Sequence, residues 1–230
     1  MVIIYRLLIN LIVLLSPIII IFRLIKKKED LSRFKEKFCF FSKKRKNGNL
    51  IWFHGASVGE IKSIAPLIEK LEGEKKISQI LVTSSTLSSS KIFKKFKFKK
   101  TIHQFFPVDG FNYTKKFLNY WKPNLAVFID SEIWPNMLLN INKKSIPAIL
   151  LNARITKKSF KRWTYFSSFA QKIFQCFDVT FPQNKETAKY LKSLKVKKIK
   201  FLENIKFSEN EYQSKSTINL KIKKFLKNKN

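Results

Sequence analysis

From Leu7 to Phe22 the chain runs sixteen residues without a charge (LLINLIVLLSPIIIIF), between Arg6 and a basic group of Arg23, Lys26, Lys27 and Lys28. At about 1.5 Å per residue the run covers roughly 24 Å, short of a ~30 Å hydrocarbon core. Val2 to Tyr5 close the gap if Arg6 snorkels. The segment is apolar on all sides, unlike the half-buried helices of a soluble core. A basic cluster, not a small-residue cleavage site, follows it. That order predicts an uncleaved anchor helix over residues 2 to 24 with its C-terminal side in the cytoplasm. Spanning and half-inserted placements both satisfy the pattern.

The pattern then changes twice. Over residues 29 to 46, Leu31, Phe34, Phe38 and Phe41 recur at helical spacing among basic residues, which predicts an amphipathic basic helix on a membrane or on the next domain. From residue 49 onward, short apolar runs at 50 to 54, 78 to 82, 101 to 106, 124 to 129, 147 to 151, 177 to 181 and 198 to 202 predict seven strands. Between them, Ile61, Ile64, Leu67, Ile68 and Leu71, then Phe117 with Trp121, and the stretch 158 to 175 carry helical periodicity. Strands alternating with helices imply right-handed crossovers and a parallel sheet covered on both faces, an α/β Rossmann-like domain over residues 49 to 207. Residues 208 to 230 form a polar, Lys-rich tail with one more helix candidate from Leu220 to Leu226.

Charge alters this picture less than its size suggests. The chain carries 47 Lys and Arg against 15 Asp and Glu, a net +32, an excess that phosphates reward through counterion release. The cations are spread along the whole chain, mostly as Lys, beside 23 Phe and many Ile and Asn, all encoded by AT-rich codons. Compositional drift on solvated faces accounts for much of the excess, and anionic lipid head groups are the next reading; no nucleic-acid partner is expected. Cys39 and Cys176 are far apart and share no metal-ligand spacing, so neither a disulfide framework nor a metal site is expected.

In open parallel sheets, ligands bind beyond the carboxyl ends of the strands. The first strand ends in His54-Gly55-Ala56-Ser57-Val58-Gly59-Glu60. Two readings compete there. Ser57 and Glu60 have the spacing of a capping box; alternatively Glu60 is a general base for a sugar hydroxyl, with Gly55 and Gly59 leaving room for the ring. A first-turn carboxylate feels the positive end of the helix dipole, which weakens a base, so burial would have to offset it. The run at 124 to 129 ends in Asp130-Ser131-Glu132-Ile133-Trp134-Pro135-Asn136, again readable as an N-cap before a first-turn proline or as ligand contacts. Arg154, after the next strand, is either a fork for a carboxylate or phosphate or a surface ion-pair partner. Thr83 to Thr86 form a hydroxyl-rich loop readable as an anion site or, more simply, as a helix cap; Pro107 to Gly110 read as a plain turn, and His103 as a packed core residue. No GxGxxG, no Walker A loop and no metal-ligand cluster occurs, so no nucleotide site is announced.

Six ordered blocks carry a resemblance: RFKEKF at 33 to 38, HGASVGE at 54 to 60, DSEIWPN at 130 to 136, NARIT at 152 to 156 with Ser159 after it, PQN at 182 to 184, and ENIKF at 203 to 207. With the N-terminal anchor before them, the chain resembles the 3-deoxy-D-manno-octulosonic acid (Kdo) transferases of Gram-negative bacteria. The resemblance implies the N-terminal half of a GT-B glycosyltransferase: two facing Rossmann-like domains, of which the first binds the lipid A precursor and the second the donor CMP-Kdo. It implies inversion, with Glu60 as general base on the lipid A hydroxyl and Glu132 as a second essential carboxylate that orders the acceptor site. Gly55, Ser57, Gly59, Ser131, Trp134 and Arg154 then fall to acceptor binding. Asp130 stands where many relatives have Glu, Cys39 where Gly is usual, and ENIKF with Ser208 replaces a Gly-Asn-x-Lys-Phe followed by Asp.

The sequence stops after residue 230, before the family's donor domain, and the expectation is that this chain alone does not catalyse transfer. CMP-Kdo is then a donor substrate bound elsewhere, on a separately encoded C-terminal half or on missing sequence, and no cofactor is expected. A lipid A-binding remnant at the inner membrane is the alternative, and a membrane-anchored nucleic-acid-binding protein the third.

Overall fold

The structure, a computed structural model, describes residues 1–201. The family-like block at 203 to 207, the tail and its helix candidate lie outside the described residues.

A helix α1 (Val2–Ile25) leads in, and a 3₁₀ turn (Phe34–Phe38) follows. Then come β1 (Asn49–His54), α2 (Val58–Glu72), β2 (Ile77–Ser84), α3 (Leu87–Phe93), β3 (Thr101–Phe105), α4 (Phe111–Trp121) and β4 (Leu125–Ile129). The described part closes with α5 (Pro135–Lys143), β5 (Ala148–Ala153), α6 (Lys157–Thr164), α7 (Ser167–Phe174), β6 (Val179–Pro182) and α8 (Lys185–Ser193). The six strands form one sheet in the order β3-β2-β1-β4-β5-β6, every adjacent pair parallel. This is the doubly wound arrangement, in which chain direction along the sheet reverses between β1 and β4.

Both faces of the sheet are covered, so the strands are largely buried, and β4 (LAVFI) is apolar and buried at every position. On one side Trp52, Phe117, Trp121, Phe128, Leu138 and Phe174 pack together. On the other, Ile51, Phe53 and Val82 meet Ile61, Ile64 and Ile68 of α2.

Four sequence expectations are corrected. Residues 29 to 46 form no amphipathic α-helix. Two of their acidic side chains, Glu29 and Glu36, turn inward: Glu36 accepts two hydrogen bonds from Arg33, both at 2.9 Å, and one from the Phe105 amide at 2.8 Å. Glu29 takes Arg23 and Lys37 at 2.6 Å each. The short 3₁₀ turn ends at Cys39 with φ 60°, a left-handed conformation that explains why glycine suits the position. The segment is a brace across the end of β3, and Leu31, counted on the apolar face, is 78% exposed.

The seventh strand is reduced to one parallel bridge between Thr180 and Ile199. The predicted helix 158 to 175 is two helices, α6 and α7, and α3, α5 and α8, whose periodicity is brief, also form.

Pro107 to Gly110 is more than a turn. The Asp109 carboxylate is buried and accepts from Tyr5 Oη at 2.7 Å, Asn136 N at 3.0 Å and Met137 N at 2.8 Å. It therefore caps α5, which Asp130 and Ser131 do not. Burial outweighs these bonds and pushes its carboxyl up to about 6. A raised carboxyl favours the fold while protonated, so its contribution is full below the unfolded value of about 4 and is lost as pH rises through about 6. The expected result is that about 3 kcal/mol of unfolding free energy disappears between pH 4 and 7. Asp109→Asn should flatten that slope in denaturant titrations.

Candidate active site

The β1 to β4 reversal sets the HGASVGE and DSEIWPN blocks side by side, because His54 is in register with Phe128, two residues before Asp130. Ser57 caps α2 in extended backbone and accepts from the Glu60 amide. The Glu60 carboxylate turns back, taking the Ala56 amide on Oε2 at 2.8 Å and the Ser57 hydroxyl on Oε1 at 2.7 Å. The capping box is present in a variant form, with the carboxylate bonded one residue before the cap.

The glycines divide. A Cβ on Gly55 would lie 3.0 Å from Glu60 Cβ and 3.4 Å from its Oε2, whereas one on Gly59 would meet only Ser57 Oγ at 3.9 Å. Gly55 thus makes room for Glu60 itself, whereas at Gly59 a Cβ would fit at ordinary contact distance. Gly55→Ala should displace the carboxylate, costing about 1–3 kcal/mol in unfolding titrations; full retention of stability would show that the loop absorbs the methyl.

Glu132 is held by a chain that spacing in the sequence did not reveal. His54 Nε2 lies 3.1 Å from Glu132 Oε2, and the Trp134 indole N–H donates to the same oxygen at 2.8 Å. An ionised carboxylate only accepts, so Nε2 carries the proton, and Nδ1 faces Thr83 Oγ1 at 3.0 Å. The His54 ring is fully buried and stacks on Phe106 at 3.8 Å. Burial alone would raise Glu132, but the bond and charge of His54 and the Trp134 indole bring it below the usual glutamate range.

Asp130 sits at the tip of β4 with φ 60°. Its carboxyl is raised by burial first and by the negative charge of Glu60 next; Arg154 opposes the shift and Glu132 adds to it. Glu60, Asp130 and Glu132 therefore share one electrostatic environment with Arg154, which is exposed and whose amide donates to Asp130 O at 3.2 Å. Ser131 is exposed at the mouth and Trp134 half-buried. The two blocks thus lie together beyond the ends of β1 and β4, with Glu60, Arg154 and Glu132 all within electrostatic reach of Asp130.

Neighbouring blocks are scaffolding. Thr86 caps α3, and Ser89 Oγ donates to Ala56 O at 2.9 Å, tying α3 to the Glu60 loop. Thr156 caps α6 through Ser159 N, and Asn184 caps α8 through Thr187 N. His103 is buried as expected and has polar partners in Ser84 Oγ at 2.8 Å and Arg33 Nη2 at 3.0 Å. Among the described residues no group of His, Cys, Asp and Glu is arranged to hold a metal ion.

The family described as "3-Deoxy-D-manno-octulosonic-acid transferase (kdotransferase)" matches residues 32–209. A 3-deoxy-D-manno-octulosonic acid transferase of Rickettsia bellii is 37% identical over 219 residues, covering 94% of this chain and 52% of that protein. A probable mitochondrial 3-deoxy-D-manno-octulosonic acid transferase of Arabidopsis thaliana is 38% identical over 152 residues, covering 65% of this chain and 34% of that protein. The match thus spans about half the length of the first relative and about a third of the second. Among solved structures, a UDP-GlcNAc 2-epimerase from Neisseria meningitidis superposes with TM-score 0.49 at 12% identity, over 65% of this chain and 46% of that one.

Proposed function

The chain belongs to the Kdo transferase family of glycosyltransferases, and from that premise we propose that it binds a lipid A precursor at the β1/β4 crevice and activates its hydroxyl for attack on CMP-Kdo. The observation that supports this most is that Glu60 and Glu132, from two separate sequence blocks, both act electrostatically on Asp130 at the reversal point where open α/β sheets take their ligands.

Glu60 is the general base. Its Oε1 accepts a hydroxyl, that of the exposed Ser57, in the place an acceptor hydroxyl would occupy. On binding, the acceptor O–H replaces Ser57, its proton passes to Glu60, its oxygen forms a bond to the anomeric carbon of Kdo, and the bond from that carbon to the CMP phosphate breaks with inversion. Glu132, fixed by His54 and Trp134, orients the sugar, and Arg154 faces its anionic groups. The donor is assigned to the portion of the relatives outside the matched stretch. The α1 helix, long and apolar enough to cross a membrane, holds the domain at the cytoplasmic face of the inner membrane.

Binding tests the acceptor half by itself. The full chain in lipid nanodiscs should retain the tetraacylated lipid A precursor, and Trp134→Ala should weaken retention about tenfold. Equal retention of a phospholipid without the sugar backbone would contradict acceptor recognition.

A further inference from the structure

The α1 helix keeps one side to the folded domain along most of its length. Tyr5 bonds Asp109, and its ring meets that of Phe169 at 5.9 Å. Arg6 donates to Asn136 Oδ1 at 3.3 Å and lies 4.1 Å over the Phe111 ring. Val13 comes within 3.2 Å of where a Gly110 Cβ would stand. Ser16 and Ile20 are buried, and Arg23 pairs with the buried Glu29 at 2.6 Å. From Tyr5 to Arg23 is roughly 27 Å of helix.

The opposite side is a continuous apolar stripe. Ile3 is 73% exposed, Leu7 63%, Leu14 74%, Ile18 67% and Ile25 74%. A helix set along the membrane normal would carry the Asp109 and Glu29 contacts, and the domain behind them, across the hydrocarbon core, where charged and polar groups are costly. A helix lying in the interface meets both demands, with polar contacts on one side and lipid on the other.

We infer that α1 lies in the plane of one anionic leaflet, with the Ile3, Leu7, Leu14, Ile18 and Ile25 stripe in the acyl boundary and the domain docked on its other side. This rests on the membrane placement proposed above and refines it. Lys26, Lys27 and Lys28, all exposed at its C-terminal end, supply the attraction to anionic head groups. The α6 to α7 turn, near the start of α1, is also exposed and aromatic: Tyr165 is 80% exposed and Phe166 51%, and the Phe169 ring just beyond them lies 5.9 Å from that of Tyr5. Through Asp109, the docked helix is tied to the start of α5, directly after Trp134. The crevice is thereby held at a fixed height for an acceptor whose acyl chains stay in the leaflet.

Thiol labelling tests the orientation. Cys39 and Cys176 are buried, their thiols pushed up to about 12 and about 11 chiefly by that burial, so added cysteines report cleanly. In sealed inverted inner-membrane vesicles, Val2→Cys and Lys28→Cys should both react with a membrane-impermeant maleimide from the cytoplasmic side. Spin labels at Leu7→Cys, Leu14→Cys and Ile18→Cys should lie at one depth within about 5 Å, set by the in-plane geometry. Labelling of Val2→Cys only after permeabilisation, or depths that climb steadily along the helix, would overturn the inference while leaving the membrane placement intact. A chain that does not sediment with vesicles at all would overturn the placement itself. Vesicles of phosphatidylcholine alone should bind about tenfold more weakly than vesicles with phosphatidylglycerol, and equal binding would overturn the anionic-leaflet assignment.

Discussion

Glu60→Gln is expected to lower Kdo transfer by about 10²–10⁴-fold, the range for removing a positioned general base, in membranes where the chain is supplied with a donor-binding half. The substitution separates the capping contacts of Glu60 from the general-base role proposed for it. A glutamine keeps the shape and can still accept the Ala56 amide, so the loop and the start of α2 survive. A neutral amide cannot take the acceptor's proton. If Glu60 were only a cap, the loss would be about 0.5–2 kcal/mol of stability with the rate unchanged. The predicted outcome is the reverse: a small change in unfolding and a large one in turnover, with acceptor binding preserved.

Glu132→Ala is expected to damage both fold and activity, because it strips the only oxygen that His54 Nε2 and the Trp134 indole share. Each buried donor left unpaired costs about 1–3 kcal/mol, and a shifted Trp134 and His54 misplace the acceptor, for which a 1 Å error can cost about 10²-fold. Glu132→Gln retains an acceptor oxygen and should recover most of the stability. The pH dependence has a definite sign. The Glu132 carboxyl is lowered in the fold, so its stabilisation is present above the unfolded glutamate value of about 4.3 and is lost as pH falls through the lower folded value. The stability gap between the native chain and Glu132→Gln should therefore narrow below about pH 4. A gap that widens on acidification would show that the carboxylate is not held ionised by His54.

The parts of this arrangement that were legible in the sequence are those built from near neighbours. Ser57 and Glu60 are three residues apart, and their cap follows from spacing. The parallel sheet follows from apolar runs separated by helical segments, and its crevice from the ends of those runs. What escaped depends on partners distant in sequence. His54 and Glu132 are separated by 78 positions and meet only because β1 lies beside β4. Asp109 looked like a turn residue because its donors, Tyr5 and Asn136, lie 104 and 27 positions away. The 29 to 46 segment misled in another way: its phenylalanines have helical spacing, but Glu29 and Glu36 have inward-pointing basic partners, and satisfying buried carboxylates outweighed the apolar periodicity. The family resemblance drew on blocks that mix both kinds of residue; NARIT with Ser159 and PQN include helix caps, while HGASVGE and DSEIWPN form the crevice.

The assignment of chemistry to this crevice is tested most directly by measuring Kdo transfer from CMP-Kdo to the tetraacylated lipid A precursor. Membranes would carry the native chain or Glu60→Gln, each with the same donor-binding half. A Kdo-bearing product is expected from the native chain and a loss of about 10²-fold or more for Glu60→Gln, with the precursor bound equally by both. Transfer that proceeds at the native rate with Glu60→Gln would contradict that assignment.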